Sequence, residues 1–431
     1  KIKHIAISFH DKADVLDLIL TEQPQIEAVQ LQINYLDWNS KAICAAECYD
    51  VAVKHAKQIM VMEPVKGDTL AKLPEKAENI LRELRPDDSM ARWAVRFAAG
   101  LEQVIEYIKE LRFTDGDIAY LRGKGKFSEE FLSYLSSFKF TGDIYAVPEG
   151  TPVFPGEPIM TVRAPSIEAQ FIETFVLLTL NHQSLIATKA NRVVRAAEGR
   201  TVLEFGSRRA QGADAAILGA RAAYIGGCIG TACTIADREF GIPALGTMAH
   251  SWVQLFPDEY SAFCAYASVY PQDCTLLVDT YNTLKSGVPN AIKAFDDVLK
   301  PMGKRPVSIR IDSGDITYLS KKARKMLDDA GYPEAIICAS GDLDEYLINS
   351  LKSQGAKINS WGIGTKLITS ADMPALGGVY KLAAVIEKDG SITPKIKLSD
   401  NTAKITNPAF KNLYRLYDKD NGMAIADLIT L

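Results

Sequence analysis

Ligands for a transition metal are scarce in this chain: 431 residues hold five histidines and seven cysteines. The histidines, at 4, 10, 55, 182 and 250, form no HExxH pair, and the cysteines, at 44, 48, 228, 233, 264, 274 and 338, form no CxxC pair. A zinc site is therefore not expected. An odd set of thiols in a chain of this length reads as buried cysteine in a reducing compartment, which points to the cytoplasm. Neither charge is in marked excess: Lys+Arg 49 against Asp+Glu 53 leaves −4, with no net draw to nucleic acid or an anionic membrane. Long apolar runs are also missing. The most apolar stretch, residues 215–236, is broken by Arg221 and by Gly219, Gly226, Gly227 and Gly230, so it reads as a packed helix and turn rather than a membrane span. No signal peptide, P-loop lysine, GxGxxG fingerprint or Ser-His-Asp order is found. Position 1 is Lys and the chain stops at Asp427-Leu-Ile-Thr-Leu431, so both ends read as cut.

What is present suits an ordinary core, with 47% hydrophobic and 24% charged residues and a length that predicts two to four domains. Residues 1–99 alternate short strands (4–8, 26–35, 58–63) with helical stretches (12–20, 45–57), a parallel βα rhythm followed by a charged connection at 72–88. Helices are predicted at 101–111 and 127–138. Residues 143–164 are crowded with proline and glycine and predict turn-rich antiparallel sheet, so 100–164 reads as a sheet-rich flanking domain. A long helix starts at Ser166, and six short apolar strands follow, near 201, 242, 275, 307, 335 and 358. Each delivers polar or glycine residues at its C-terminal end, the rim where a parallel β/α barrel binds ligands, which defines a barrel over 165–370. Residues 371–431 return to alternating strands and rejoin the flank.

The chemistry-bearing residues cluster on that rim. In Val307-Ser-Ile-Arg-Ile-Asp-Ser-Gly-Asp315, Arg310 and Asp312 share a strand face opposite Ile309 and Ile311. They are either a structural ion pair or a ligand site. Asp312 and Asp315 in the following turn can hold ribose hydroxyls or a magnesium–phosphate, because Mg²⁺ takes one or two carboxylates plus substrate oxygens. Gly362, Gly364 and Thr365 of Trp361-Gly-Ile-Gly-Thr, with Gly341 of Ala339-Ser-Gly-Asp, form turns whose N–H groups can cradle phosphate or simply turn the chain. His250, with Thr247 and Ser251 in Gly246-Thr-Met-Ala-His-Ser, sits on the same rim as Asp279, as a nucleophile, phosphoryl acceptor or acid/base. Phe205 offers a ring face, and Arg208 a fork for carboxylate or phosphate. Lys189, a candidate phosphate-binding cation, and Arg192 add charge on a helix face that is equally readable as a solvated one.

From Gly100 to Leu431 these residues resemble nicotinate phosphoribosyltransferase, through Gly100-Leu-Glu-Gln-Val-Ile-Glu-Tyr-Ile, Phe140-Thr-Gly-Asp-Ile-Tyr-Ala-Val-Pro-Glu-Gly, Leu203-Glu-Phe-Gly-Ser-Arg-Arg-Ala, Gly246-Thr-Met-Ala-His-Ser, Arg310-Ile-Asp-Ser-Gly-Asp and Gly362-Ile-Gly-Thr with Gly377-Gly-Val-Tyr-Lys-Leu. The resemblance implies an α/β fold, an irregular parallel β/α barrel of the type II phosphoribosyltransferase kind with a sheet-rich flanking domain. It implies joining of nicotinate to phosphoribosyl pyrophosphate, giving nicotinate mononucleotide and pyrophosphate in NAD salvage, with Mg²⁺, with ATP as co-substrate and as a homodimer. By the same resemblance His250 is the histidine phosphorylated by ATP, Thr247 and Arg310 are nicotinate-site positions, and Thr365 is a phosphate-site position. Phe205, Arg208, Asp279 and Asp312 align with pocket positions of the related nicotinamide enzyme. The alternatives are a nicotinamide- or quinolinate-specific relative, or a catalytically silent fusion or truncated transferase.

Residues 1–99 resemble instead the C-terminal half of an aldo-keto reductase barrel, through His4-Ile-Ala-Ile-Ser-Phe-His, Val29-Gln-Leu-Gln-Ile-Asn-Tyr-Leu-Asp-Trp, Met60-Val-Met-Glu-Pro-Val-Lys-Gly and Ala91-Arg-Trp-Ala-Val-Arg-Phe-Ala-Ala. That family keeps its catalytic Asp, Tyr, Lys and His in the other half of the barrel, so no reductase activity is expected.

Overall fold

In the computed structural model, residues 5–9, 11–32, 44–62, 96–397, 407–419 and 421–430 are described. The N-terminal βα rhythm forms as expected. Strands β1 (Ala6–Phe9), β2 (Ala28–Gln32) and β3 (Gln58–Met62) pair in parallel in that order. Helices Ala13–Glu22 and Ala45–Lys54 connect them and bury Leu16, Leu20, Cys48 and Ala52 against Val29 and Leu31. The expected continuations at 33–35 and 63–67, and the connection at 72–88, lie outside the described residues.

The flank is antiparallel, as its proline and glycine content predicts. Strand β4 (Arg96–Phe97) pairs with β6 (Pro152–Val153), and β5 (Asp143–Ala146) pairs with β7 (Met160–Arg163). Helix Leu101–Glu110 covers this sheet, burying Val104 and Ile108 beside Ile172 of the long helix that starts at Ser166. A helix at Asp115–Gly123 was not expected, and the predicted 127–138 helix is shorter, Glu129–Ser136. Each starts with a side-chain cap, Thr114 and Ser128 accepting from the N–H three residues on.

One helix, Ser166–Ala197, carries the chain from flank to barrel. Its apolar residues fall at helical spacing, and Ala190, Val193 and Ala197 are fully buried. It ends where Glu198 turns left-handed and Gly199 follows.

Beyond it lies the curled parallel sheet. Strands β8 (Thr201–Glu204), β9 (Gly230–Thr231), β10 (Thr275–Leu277), β11 (Ser308–Ile311), β12 (Ile336–Gly341) and β13 (Ser360–Ile363) hydrogen-bond in the order β10-β11-β12-β13-β8-β9. Among the described residues this sheet forms a curled half-barrel. The predicted strand at 242–245 contributes only a bridge from Ala244 to Thr231, while β9 was not predicted. Between the sheet and its covering helices, Leu276, Ile309, Ile337, Trp361 and Ile363 are fully buried. Each such side chain contributes about 1.5–3 kcal/mol relative to exposure.

Two hairpins follow, β14 (Ala384–Ile386) with β15 (Ile392–Pro394), and β16 (Asn412–Tyr417) with β17 (Ala424–Thr430). The second returns to the flank. Arg415 pairs with Asp427 across the hairpin and donates to the Pro152 carbonyl at 2.6 Å. No helix among the described residues is long and apolar enough to cross a membrane.

Candidate active site

At the C-terminal ends of β10, β11 and β12 the backbone leaves the sheet in three neighbouring turns. The first carries Asp279, whose side chain is 2% exposed. Its Oδ2 accepts the Asp312 backbone N–H at 3.0 Å and the Ser313 hydroxyl at 2.6 Å. Its Oδ1 is buried with no hydrogen-bond partner. The second turn carries Asp312, which also accepts from the Ser340 hydroxyl of the third. Gly341 closes that third turn in the left-handed region at φ +113, where a Cβ would lie 2.7 Å from the Asp312 carbonyl oxygen. Only glycine fits there without strain.

Above these turns stands His250, first residue of the short helix His250–Gln254. Its Nδ1 is 3.1 Å from the Thr280 hydroxyl. Its Nε2 is 3.8 Å from Asp279 Oδ1 and 3.9 Å from Asp312 Oδ2, within electrostatic reach but beyond hydrogen-bonding distance. Beside it, Arg310 extends from β11 and donates through Nη1 to the Thr247 hydroxyl, while Nη2 lies 3.6 Å from Asp312 Oδ1. Arg310 and Asp312 thus meet as the strand period predicts. Yet the pairing is partial, because Arg310 Nε is buried with no hydrogen-bond partner. A buried donor without a partner costs about 1–3 kcal/mol, which a ligand oxygen would relieve.

Across the sheet, β8 and β13 meet in parallel register, Leu203 beside Gly362 and Glu204 beside Ile363. The Phe205 N–H donates to the Ile363 carbonyl at 2.8 Å, and its ring lies over Gly362, where a Cβ would come within 2.5 Å of the ring. Gly362 is therefore the seat of the aromatic ring, a different task from the phosphate cradle expected of it. Glu204 ends β8 fully buried. It accepts from the Thr231 hydroxyl at 2.6 Å and from the Gly206 N–H, and burial raises its carboxyl above the ordinary range. Gly364 caps the short helix Thr365–Ile368. Lys366, next to Thr365, donates to Asp344 at 2.6 Å and adds a cation that sequence reasoning passed over.

Other expected site residues land differently. Lys189, 3% exposed, is held between Glu345 at 2.7 Å and Asp372 at 3.0 Å, with Arg192 also on Asp372. Its ammonium is spent inside the protein rather than offered to phosphate. Asp315 caps helix Ile316–Asp329, accepting from the Tyr318 N–H at 2.9 Å, so its carboxylate serves the helix. Arg208 is exposed in the single turn Ser207–Arg209, and Ser251 is exposed beside His250. Among the described residues, no group of three or more His, Cys, Asp or Glu could hold a metal by itself. Thr280, Ser313 and Ser340 were not anticipated, although each adjoins a rim carboxylate or glycine in sequence.

Comparison with known proteins places this geometry in context. The model of the nicotinate phosphoribosyltransferase (NAPRTase) N-terminal domain matches residues 84–181, and that of the NAPRTase family matches residues 201–419. The chain is 51% identical over 335 residues to a nicotinate phosphoribosyltransferase of Bacillus subtilis, covering 77% of this chain and 67% of that protein. It is 47% identical over 320 residues to one of Mycobacterium tuberculosis, covering 74% of this chain and 66% of that one. The chain thus spans about two thirds of the length of these relatives. The crystal structure of human nicotinic acid phosphoribosyltransferase superposes with a TM-score of 0.66 at 28% identity, covering 78% of this chain and 74% of the human one. The first family match begins at residue 84, inside the segment expected to be reductase-like, and the comparisons lend the reductase resemblance no support.

Proposed function

This chain belongs to the nicotinate phosphoribosyltransferase family, and from that premise we propose that its rim joins nicotinate to phosphoribosyl pyrophosphate, releasing nicotinate mononucleotide and pyrophosphate with ATP as co-substrate. The observation that carries this reading is Arg310, whose buried Nε lacks a partner, beside Thr247, His250 and two carboxylates. A free carboxylate on the pyridine ring is the ligand that such a fork recognises. Phe205, seated on Gly362, offers the face for that ring.

The anomeric carbon passes through an oxocarbenium-like state, as in glycoside cleavage, and needs negative charge held close by. Asp279 and Asp312 supply it, one fixing the backbone of the other. The chemistry a magnesium ion would supply here is neutralisation of the leaving pyrophosphate. Asp312 together with the unpartnered Oδ1 of Asp279 would hold the ion, which fits a cation that takes few protein ligands. Asp315 is a poorer candidate because it caps a helix. Gly364 and Thr365 serve the sugar phosphate, and His250 accepts the phosphoryl group of ATP, coupling its hydrolysis to a tighter hold on the sugar. A homodimer and a cytoplasmic location complete the reading, and residues 100–164 and 371–431 act as one flank around the half-barrel.

The test is direct: incubate the chain with phosphoribosyl pyrophosphate, Mg-ATP and either nicotinate, nicotinamide or quinolinate, and quantify each mononucleotide. Nicotinate mononucleotide should dominate. No product from folded protein, or preference for another pyridine, would overturn the reading.

A further inference from the structure

Strand β8 ends on an acid that the reaction does not use. Side chains alternate along it, so Glu204 shares a face with Val202, in the apolar layer where its neighbour Ile363 is fully buried, while Leu203 and Phe205 take the other face. Glu204 is itself fully buried, and burial raises its carboxyl above the ordinary range. An acid in such a layer is costly unless its oxygens find donors. Here each oxygen has one. Oε2 accepts from the Thr231 hydroxyl at 2.6 Å and so fastens strand β9, and the Thr231 hydroxyl oxygen accepts the Cys233 N–H at 3.0 Å. Oε1 reaches forward past Phe205 and accepts the Gly206 N–H. The peptide before Phe205 is pinned as well, since the Phe205 N–H donates to the Ile363 carbonyl at 2.8 Å. Gly206 is pressed against the neighbouring turn, where a Cβ would lie 2.6 Å from the Gly364 carbonyl oxygen.

We infer that Glu204 is a positioning residue: by holding the peptide that follows Phe205, it keeps the phenyl ring on its Gly362 seat as the face for the pyridine. The inference rests on reading that ring as the pyridine's stacking partner. A side chain can point only where its own backbone aims it. With the preceding peptide tied to β13 and the following one tied to Glu204, both φ and ψ of Phe205 are fixed, and the bare backbone of Gly362 leaves the space that the ring fills. The ring is then ordered before the ligand arrives, so binding loses no affinity to ordering it. Releasing the Gly206 N–H would free ψ of Phe205 and let the ring leave its seat. The second oxygen has a different task, because through Thr231 it anchors β9 and serves the sheet. An acid suits both tasks at once: an ionised carboxylate accepts with both oxygens, whereas a glutamine would face one of the two donors with its own N–H.

The experiment titrates the full chain with nicotinate in a calorimeter, using wild type, Glu204→Met, Phe205→Leu and the double variant, each checked for folding by circular dichroism. Methionine keeps the length of the side chain and removes both acceptors. Phe205→Leu should weaken nicotinate binding by about threefold to tenfold, the weight of an aromatic stack. Glu204→Met should weaken it measurably, by no more than the Phe205→Leu factor. The double variant should bind as Phe205→Leu does, because a residue that acts through the ring then has nothing left to position. Should Glu204→Met fail to fold with the Thr231 hydroxyl stranded, Glu204→Met/Thr231→Val removes that hydroxyl as well and is read the same way. Wild-type affinity in Glu204→Met overturns the inference. So does a loss larger than that of Phe205→Leu, or losses that multiply in the double variant, as they would if Glu204 served the fold alone. Wild-type affinity in Phe205→Leu overturns the reading of the ring, and a folded wild type that binds no nicotinate overturns the proposed site; either takes this inference with it.

Discussion

Asp279 holds Asp312 by the backbone: its Oδ2 takes the Asp312 N–H at 3.0 Å, so the carboxylate at the end of one strand fixes the carboxylate at the end of the next. The two act as a unit, and removing the first should displace the second.

Asp279→Asn keeps the shape and one acceptor oxygen but loses the charge. Hydrogen bonds to charged groups are worth about 1.5–3 kcal/mol, so kcat should fall by about tenfold to a hundredfold. Steady-state kinetics against phosphoribosyl pyrophosphate would check this, and an unchanged kcat would separate Asp279 from the reaction.

Arg310→Ala removes the fork with the unpartnered Nε. KM for nicotinate should rise by about tenfold or more, with a smaller change for phosphoribosyl pyrophosphate. Equal losses for both substrates would reject Arg310 as the carboxylate partner.

Lys189→Met tests the residue whose place in the fold departs most from expectation. It leaves Glu345 buried without its cation and Asp372 with Arg192 in place of two cations, and breaking such a buried pair costs about 3–5 kcal/mol. Thermal or denaturant unfolding should show that loss, while folded protein keeps its KM for the sugar phosphate. A selective rise in that KM at unchanged stability would restore Lys189 to the phosphate site.

Glu157 gives the stability a pH dependence. Burial, with Asp427 beside it, pushes its carboxyl from 4.5 up to about 7, against the Phe154 N–H and Arg415, which favour the charged form. The folded chain therefore holds this proton where the unfolded chain has released it. The contribution is full below the unfolded value and is lost as pH rises through about 7. Asp427 shifts the opposite way, so its own loss falls in acid, below its ordinary 3.8. Melting of Glu157→Gln against wild type between about pH 5 and 8 should show the variant gaining relative stability as pH rises. A constant difference across that range would remove Glu157 as the source.

Much of this was legible in the sequence, for stated reasons. Runs such as Val307-Ser-Ile-Arg-Ile are too short for a buried helix and end in polar turns, so the rim strands and most of the rim residues announce themselves. Strand β9 does not, because two residues inside a glycine-rich apolar stretch have no period to read. The 242–245 run has strand composition but makes one bridge, since a strand exists only where a neighbour offers its edge. Lys189 misleads for a related reason: composition cannot tell a cation facing water from one facing Glu345, because the partner lies far away in sequence. Thr280 escapes because a hydroxyl has no fixed role until a ring nitrogen stands beside it.

The pairing of β8 with β13 also bears on how the protein is made. During synthesis β8 leaves the ribosome with β9 soon behind it, but its other neighbour is translated last of the six. Until then one edge of β8 offers unpaired N–H and C=O groups to any passing chain. The seat of Phe205 on Gly362 forms only at the final closure, so the pocket itself reports that the sheet is complete.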